Sequence, residues 1–199
     1  MKYLHMFSIS GMLMFMSASA QAQETYLWLE PQVAVEKNVI GKTKTGEYFG
    51  TVSFGYQKSR WLGIFIQSSH GNIWGETVIG PSFQIAEGLN VSLAVGVEHY
   101  TPHPIRGRFN AFYDHEASGS FAYVQFDTGK GSNWVWADAT RMFKKKVGIG
   151  FLAQMPGGGV GPKLELRHGD HLALWVAPVH EWNEKTTRVL TGMRIMFGN

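Results

Sequence analysis

Residues 89–100 read LNVSLAVGVEHY. Leu89, Val91, Leu93, Val95 and Val97 fall on one register, and Asn90, Ser92, Ala94, Gly96 and Glu98 on the other. A period of two is the signature of an extended strand, because successive side chains point to opposite faces. As far as Glu98, one face is aliphatic and the other is small or polar. In a soluble barrel the aliphatic face points into a core. In a membrane barrel it points out at lipid, and the polar face lines a lumen.

Charges elsewhere separate the two cases. Glu30, Glu76, Glu98, Lys163, Glu165, Arg167 and Arg194 all lie on the polar registers of their strands, and the apolar registers carry none. A soluble β-domain studs its solvent face with charge. Here that face is mostly Gly, Ser, Ala, Asn and Gln, and charge is concentrated in turns. A Lys or Arg on a lipid face at midplane costs about 2–4 kcal/mol, and the pattern avoids it. Tyr48 and Tyr56 share one apolar face, eight residues apart. On a strand tilted by about 40° that spacing is roughly 20 Å of height, as two interfacial girdles require.

The alternation recurs along the chain. It predicts strands over 25–36, 47–57, 61–68, 73–86, 89–100, 108–115, 121–127, 133–140, 147–154, 160–167, 171–179 and 187–197, joined by short connections. In 121–127 and 133–140 both registers are fairly apolar, so their facing stays open. Segments 37–46, 100–107, 141–146 and 155–159 read as loops or turns by their Gly, Pro and Lys content. Pro31, Pro81, Pro162 and Pro178 fall inside predicted strands. A residue without an N–H there calls for a bulge or a moved boundary, so ten strands stand beside twelve.

The first 22 residues carry Lys2, an apolar stretch from Tyr3 to Met16, and Ala20-Gln21-Ala22. This predicts a secretory signal peptide cut after Ala22, too short to span a membrane as a helix. Removing 22 of the 199 residues leaves 177, which suits one domain over 23–199. That domain holds 17 basic against 15 acidic residues, a balance that argues against nucleic acid. There is no cysteine, so neither disulfides nor a lipid-anchored cysteine is expected. Glycine is high at 24 residues and charge low at 17%, the composition of a barrel with a greasy exterior.

The signal peptide, even strand number, unbroken alternation and final apolar strand Val189–Phe197 resemble a bacterial outer-membrane β-barrel. In that class the last strand typically carries a terminal aromatic read by the assembly machinery. Phe197 matches it, although Gly198-Asn199 follow. The resemblance implies an all-β, closed antiparallel up-and-down transmembrane barrel in the outer membrane of a Gram-negative cell. Outer-membrane lipid and the assembly machinery are its implied partners, with a small solute as a further one. No cofactor is implied.

The seven lumen-side charges have two readings. They select a solute by sign, or they pair into a network that stiffens the interior. Mixed signs at Lys163, Glu165 and Arg167, on adjacent lumen positions of one strand, favour pairing. His99 and Thr101 sit near one rim and distantly resemble the catalytic pair of outer-membrane lipid A deacylases. Thr stands where that family has Ser, and the next strand offers Phe109, Ala111 and Tyr113 outward rather than a carboxylate. A nucleophile needs a base and the base an orienting acid, so the enzymatic reading is the weaker one. Asp114-His115-Glu116 cannot close on one metal ion, since neighbours in a strand diverge. His70, His168, His171 and His180 read as solvated turn residues. Arg106, Arg108 and Lys144-Lys145-Lys146 read as turns in water or against lipid phosphates. Three functions remain in order: a non-enzymatic integral barrel, as a narrow passage for small solutes or a structural membrane protein; a lipid-modifying enzyme using His99; and a soluble periplasmic barrel around a small apolar ligand.

Overall fold

The computed structural model describes residues 24–37, 43–59, 62–71, 74–99, 101–115, 117–130, 132–155, 158–182 and 185–198. The expected signal peptide, 1–22, lies outside the described residues. The elements are β1 (Glu24–Lys37), β2 (Thr43–Ser59), β3 (Leu62–Gly71), β4 (Gly75–Ala86), β5 (Leu89–His99) and β6 (Ile105–His115). They continue with β7 (Ser120–Gly129), β8 (Ser132–Phe143), β9 (Val147–Met155), β10 (Gly159–His168), β11 (Leu172–Glu181) and β12 (Thr186–Gly198). Each strand pairs antiparallel with its neighbours in sequence, and β1 pairs with β12 to close the barrel. The count is twelve, not ten.

The aliphatic face of the 89–100 stretch points outward: Leu93 and Val95 keep 57% and 67% of their surface exposed, while Ser92 and Ala94 are buried. Ile79 on β4, Ile105 on β6 and Ile149 on β9 are likewise exposed. In a closed barrel the buried register is the lumen side. An encircling aliphatic surface of this extent is stable only against lipid.

β7 and β8, whose facing was open, turn Phe121, Gln125, Asp127, Trp136, Asp138 and Thr140 inward, with Val124 and Phe126 outward. Their two registers look alike because the lumen here is itself partly aromatic.

The prolines are accommodated without bulges. The register shifts lie at Ala34/Glu36, Gln57/Ser59 and Gln84/Ala86, none of them at a proline. Between β10 and β11 the ladder lapses after Val160↔His180 and resumes unchanged at Leu164↔Val176, which sets Pro162 opposite Pro178. Two residues that cannot donate thus share one gap, and each strand keeps its ladder on the other side. The strands approach closely there: a Cβ on Gly161 would lie 1.8 Å from the Pro178 carbonyl oxygen. Pro31 and Pro81 likewise interrupt one ladder without moving its register.

Four boundaries moved by three residues or more. β2 starts at Thr43, inside the expected 37–46 loop; β3 runs on to Gly71; β6 starts at Ile105; and β8 runs on to Phe143. The basic turn shrinks to Lys144–Lys146, closed by the Lys146 N–H donating to the Phe143 carbonyl at 3.0 Å. Lys144 and Lys145 carry φ of 51° and 56°, the two left-handed central residues of a type I′ hairpin turn. A side chain there costs about 1–2 kcal/mol relative to glycine. Lys145→Gly is therefore expected to raise stability by about 1 kcal/mol, read as a higher urea midpoint of the barrel in lipid vesicles. An unchanged or lower midpoint would contradict the strain.

Candidate functional site in the lumen

The termini lie at one end of the barrel, since Leu27 pairs with Phe197 there. The turns 87–88, 144–146 and 169–171 share that end. Inside, the lumen divides into three zones: a charged belt, an aromatic layer toward the far end, and a polar vestibule toward the termini.

Arg194 is the centre of the belt. Its guanidinium donates to Asp138 Oδ2 at 3.1 Å, to Glu165 Oε2 at 3.4 Å and to both oxygens of Glu30 at 3.4 Å. The same group lies 4.4 Å from the Trp28 ring centre and 4.7 Å from that of Phe121. Lys163 Nζ donates to Asp138 at 2.7 and 2.9 Å and stands 2.9 Å from Glu165. Arg167 Nε donates to Glu165 at 2.7 Å. The indole N–H groups of Trp28 and Trp175 each donate to Glu30 at 2.8 Å. Every carboxylate of this belt has at least two donors, which is what allows charge to be buried.

A second group faces it. Glu76 and Glu98 sit opposite each other across the β4–β5 ladder, a repulsive arrangement unless cations intervene. Arg108 pairs with Glu76 and Asp127, holding Asp127 Oδ2 at 3.1 Å, and Arg106 pairs with Glu98. Arg106 and Arg108 were expected in a turn or at lipid phosphates. The earlier start of β6 instead adds Arg106 to the inner face that Arg108 and Asn110 occupy, all three buried.

All seven charges picked from the sequence lie on the inner register. Glu30, Glu76, Lys163, Glu165 and Arg194 are buried, and Glu98 and Arg167 are half-buried. Asp127 and Asp138 were missed because their strands had no assigned facing. The signal was present: a mid-strand carboxylate does not face lipid, so each alone fixes its strand.

The aromatic layer was also missed. The Phe49 and Trp74 rings stack at 5.5 Å, Trp74 meets Trp134 at 6.0 Å, and Trp134 meets Trp136 edge-on at 5.7 Å. Buried Leu152, Trp175, Val179 and Leu190 pack with them. Below this layer lies the vestibule, a cavity of about 890 Å³ reaching from Trp136 and Arg194 to Gln57 and Glu87 at the termini end.

Near the far rim, the His99 ring stacks on His70 at 5.3 Å, and Ser68 Oγ lies 3.0 Å from His70 Nε2. The Thr101 hydroxyl accepts from the His103 backbone N–H at 3.3 Å, a bond within its own loop. His70 and His180 belong to β3 and β11 rather than to turns. His168 and His171 are exposed around the β10–β11 turn. Among the described residues no three His, Cys, Asp or Glu side chains are grouped to hold a metal ion.

No family model and no curated protein matches the chain. Solved structures share its fold. A KdgM porin superposes with a TM-score of 0.53 at 10% identity, over 85% of this chain and 99% of that one, and so does the KdgM porin in complex with disordered oligogalacturonate. The Acinetobacter baumannii outer membrane protein Omp33 superposes with a TM-score of 0.52 at 10% identity, over 89% of this chain and 100% of the other. The chain thus has the fold of outer-membrane β-barrel porins.

Proposed function

We propose that this protein is a non-enzymatic barrel of the bacterial outer membrane that lets small solutes through a narrow lumen. The observation that carries the reading is a polar, charged interior with an 890 Å³ vestibule inside an aliphatic exterior. Outer-membrane barrels keep their short turns in the periplasm and longer loops outside. Here the two longest connections, 38–42 and 100–104, lie at the end away from the termini. The vestibule then opens to the periplasm, and the aromatic layer is the constriction toward the exterior. Export by the signal peptide over 1–22, assembly through the final strand ending at Phe197, and contact with outer-membrane lipid belong to the same reading. Passage rather than catalysis is favoured because the Thr101 hydroxyl is engaged in its own loop and the His99 ring stacks on another histidine.

Planar bilayer recording tests the proposal. Small discrete current steps are expected, with weak preference between cations and anions, because the lumen cations and carboxylates pair nearly one for one. Trp136→Ala, which thins the aromatic layer, is expected to raise the step size. A correctly inserted protein that gives no steps in either form is a structural barrel and not a passage.

A further inference from the structure

We propose that the vestibule is a binding site for a neutral, hydroxyl-rich solute, a saccharide of one or two rings. The inference rests on the passage reading, in that it takes the vestibule as open to the periplasm, and it names the class of solute. About 890 Å³ lies within the range of roughly 300–1,000 Å³ usual for small-molecule sites.

The lining is unusual in its chemistry. Six side-chain amides face it: Gln57, Gln67, Gln84, Asn90, Asn110 and Gln125. Each offers a donor and an acceptor, as a sugar hydroxyl does. Ser53, Ser82 and Ser92 add hydroxyls. Among these polar groups sits one aromatic patch of Trp28, Phe112 and Tyr123, with ring centres 6.3–6.5 Å apart. Amides around an aromatic patch suit a ring with hydroxyls at its edge and C–H groups on its face.

Charge argues against the alternatives. The cavity borders a single arginine, Arg194, which is already held by Glu30, Asp138 and Glu165, so an anion gains little from it. The belt carboxylates Glu30 and Asp138 are already paired with Arg194, which leaves them little hold on a cation.

Two buried atoms sharpen the choice. Three of the amides bond neighbouring hydroxyls: Gln57 Oε1 accepts from Ser82 Oγ at 3.3 Å, Asn110 Nδ2 donates to Ser92 Oγ at 3.0 Å, and Gln125 Oε1 accepts from the Tyr123 hydroxyl at 2.6 Å. Among the described residues Gln67 Oε1 and Trp136 Nε1 have no hydrogen-bond partner, although both residues are 5% exposed and both line the vestibule. One is an acceptor and the other a donor. A hydroxyl can serve either. A carboxylate cannot donate to Gln67 Oε1, and an ammonium cannot accept from Trp136 Nε1.

Isothermal titration of the folded, full barrel in a sugar-free detergent tests this, with sucrose, maltose, lactose and glucose as neutral probes, glucuronate as the anion and lysine as the cation. Saturable binding of at least one neutral sugar is expected, at least tenfold tighter than glucuronate or lysine. Gln67→Leu and Trp136→Phe are each expected to weaken it by about three- to tenfold, the share of one hydrogen bond. Absence of saturable binding by all four sugars overturns the proposal, as does equal binding of glucuronate or lysine. A barrel that conducts without binding sugar sinks this inference alone. One that binds sugar without conducting sinks the passage and keeps the site.

Discussion

Arg194→Met is expected to cost the barrel about 3–5 kcal/mol, the usual effect of removing one partner from a buried ionic network. The size follows from what remains. Glu30 keeps two indole donors, Asp138 keeps Lys163, and Glu165 keeps Lys163 and Arg167. Three carboxylates then share two cations while Glu30, Asp138 and Glu165 stay 2%, 3% and 0% exposed. The stacking of the guanidinium on Trp28 and Phe121 is lost as well. Methionine fills much of the volume, so the loss reads charge rather than a cavity. Against a total stability of about 5–15 kcal/mol for an ordinary domain, this is enough to populate unfolded protein. Urea titration in lipid vesicles measures it, with the heat-dependent shift in electrophoretic mobility as a check on folding. Arg194→Met combined with Glu30→Gln restores the charge balance and is expected to recover part of the loss, since coupled neighbours deviate from additivity by about 0.5–3 kcal/mol. A cost below about 1 kcal/mol for the single variant would mean that the belt is open to water and that its charges act on solutes instead.

The architecture was legible because each strand carries its own compass. From Leu89 to Val97 every outward residue is aliphatic, so the sign of the barrel can be read from one strand. Glu30, Glu76 and Arg194 repeat it. Legibility failed where the lumen stops being polar. Trp134, Trp136 and Phe121 point inward, so apolarity no longer marks lipid, and only Asp127 and Asp138 keep the compass in β7 and β8. Arg106 and Arg108 failed for another reason. Pro102 and Pro104 mark a true loop, but the strand resumes at Ile105, directly after the second proline. Alternation from there puts both arginines inside, opposite the Glu76–Glu98 clash that they neutralise. That clash depends on β4–β5 register, which a single strand does not reveal. The prolines misled in the same way: the shared gap of Pro162 and Pro178 exists only once two strands are aligned. The vestibule was illegible throughout, because a cavity is a property of where side chains end rather than of their order.

The polarity on which all of this depends has its own test in Val95→Arg. Val95 is 67% exposed at mid-strand, flanked across the ladders by Ile79 and Gly107 on the same outward face. The nearest carboxylate along β5, Glu98, belongs to the inner register, so the new guanidinium finds no partner on its own side. In a bilayer the expected cost is about 2–4 kcal/mol. Ile105→Arg, near the far end of the adjoining strand, is equally exposed to the exterior but close to the headgroups, and about 0–1 kcal/mol is expected there. Gly107 leaves room beside position 95, so a steric explanation of the difference is weak. Unfolding both variants in vesicles gives the depth dependence, and repeating the pair in detergent micelles, where water reaches the belt more freely, is expected to shrink the gap. A soluble barrel predicts the opposite pattern: both arginines face water and both are near neutral, whatever their height. Equal and small costs for the two variants in vesicles would therefore remove lipid from the outside of this barrel, and with it the passage and the periplasmic opening of the vestibule.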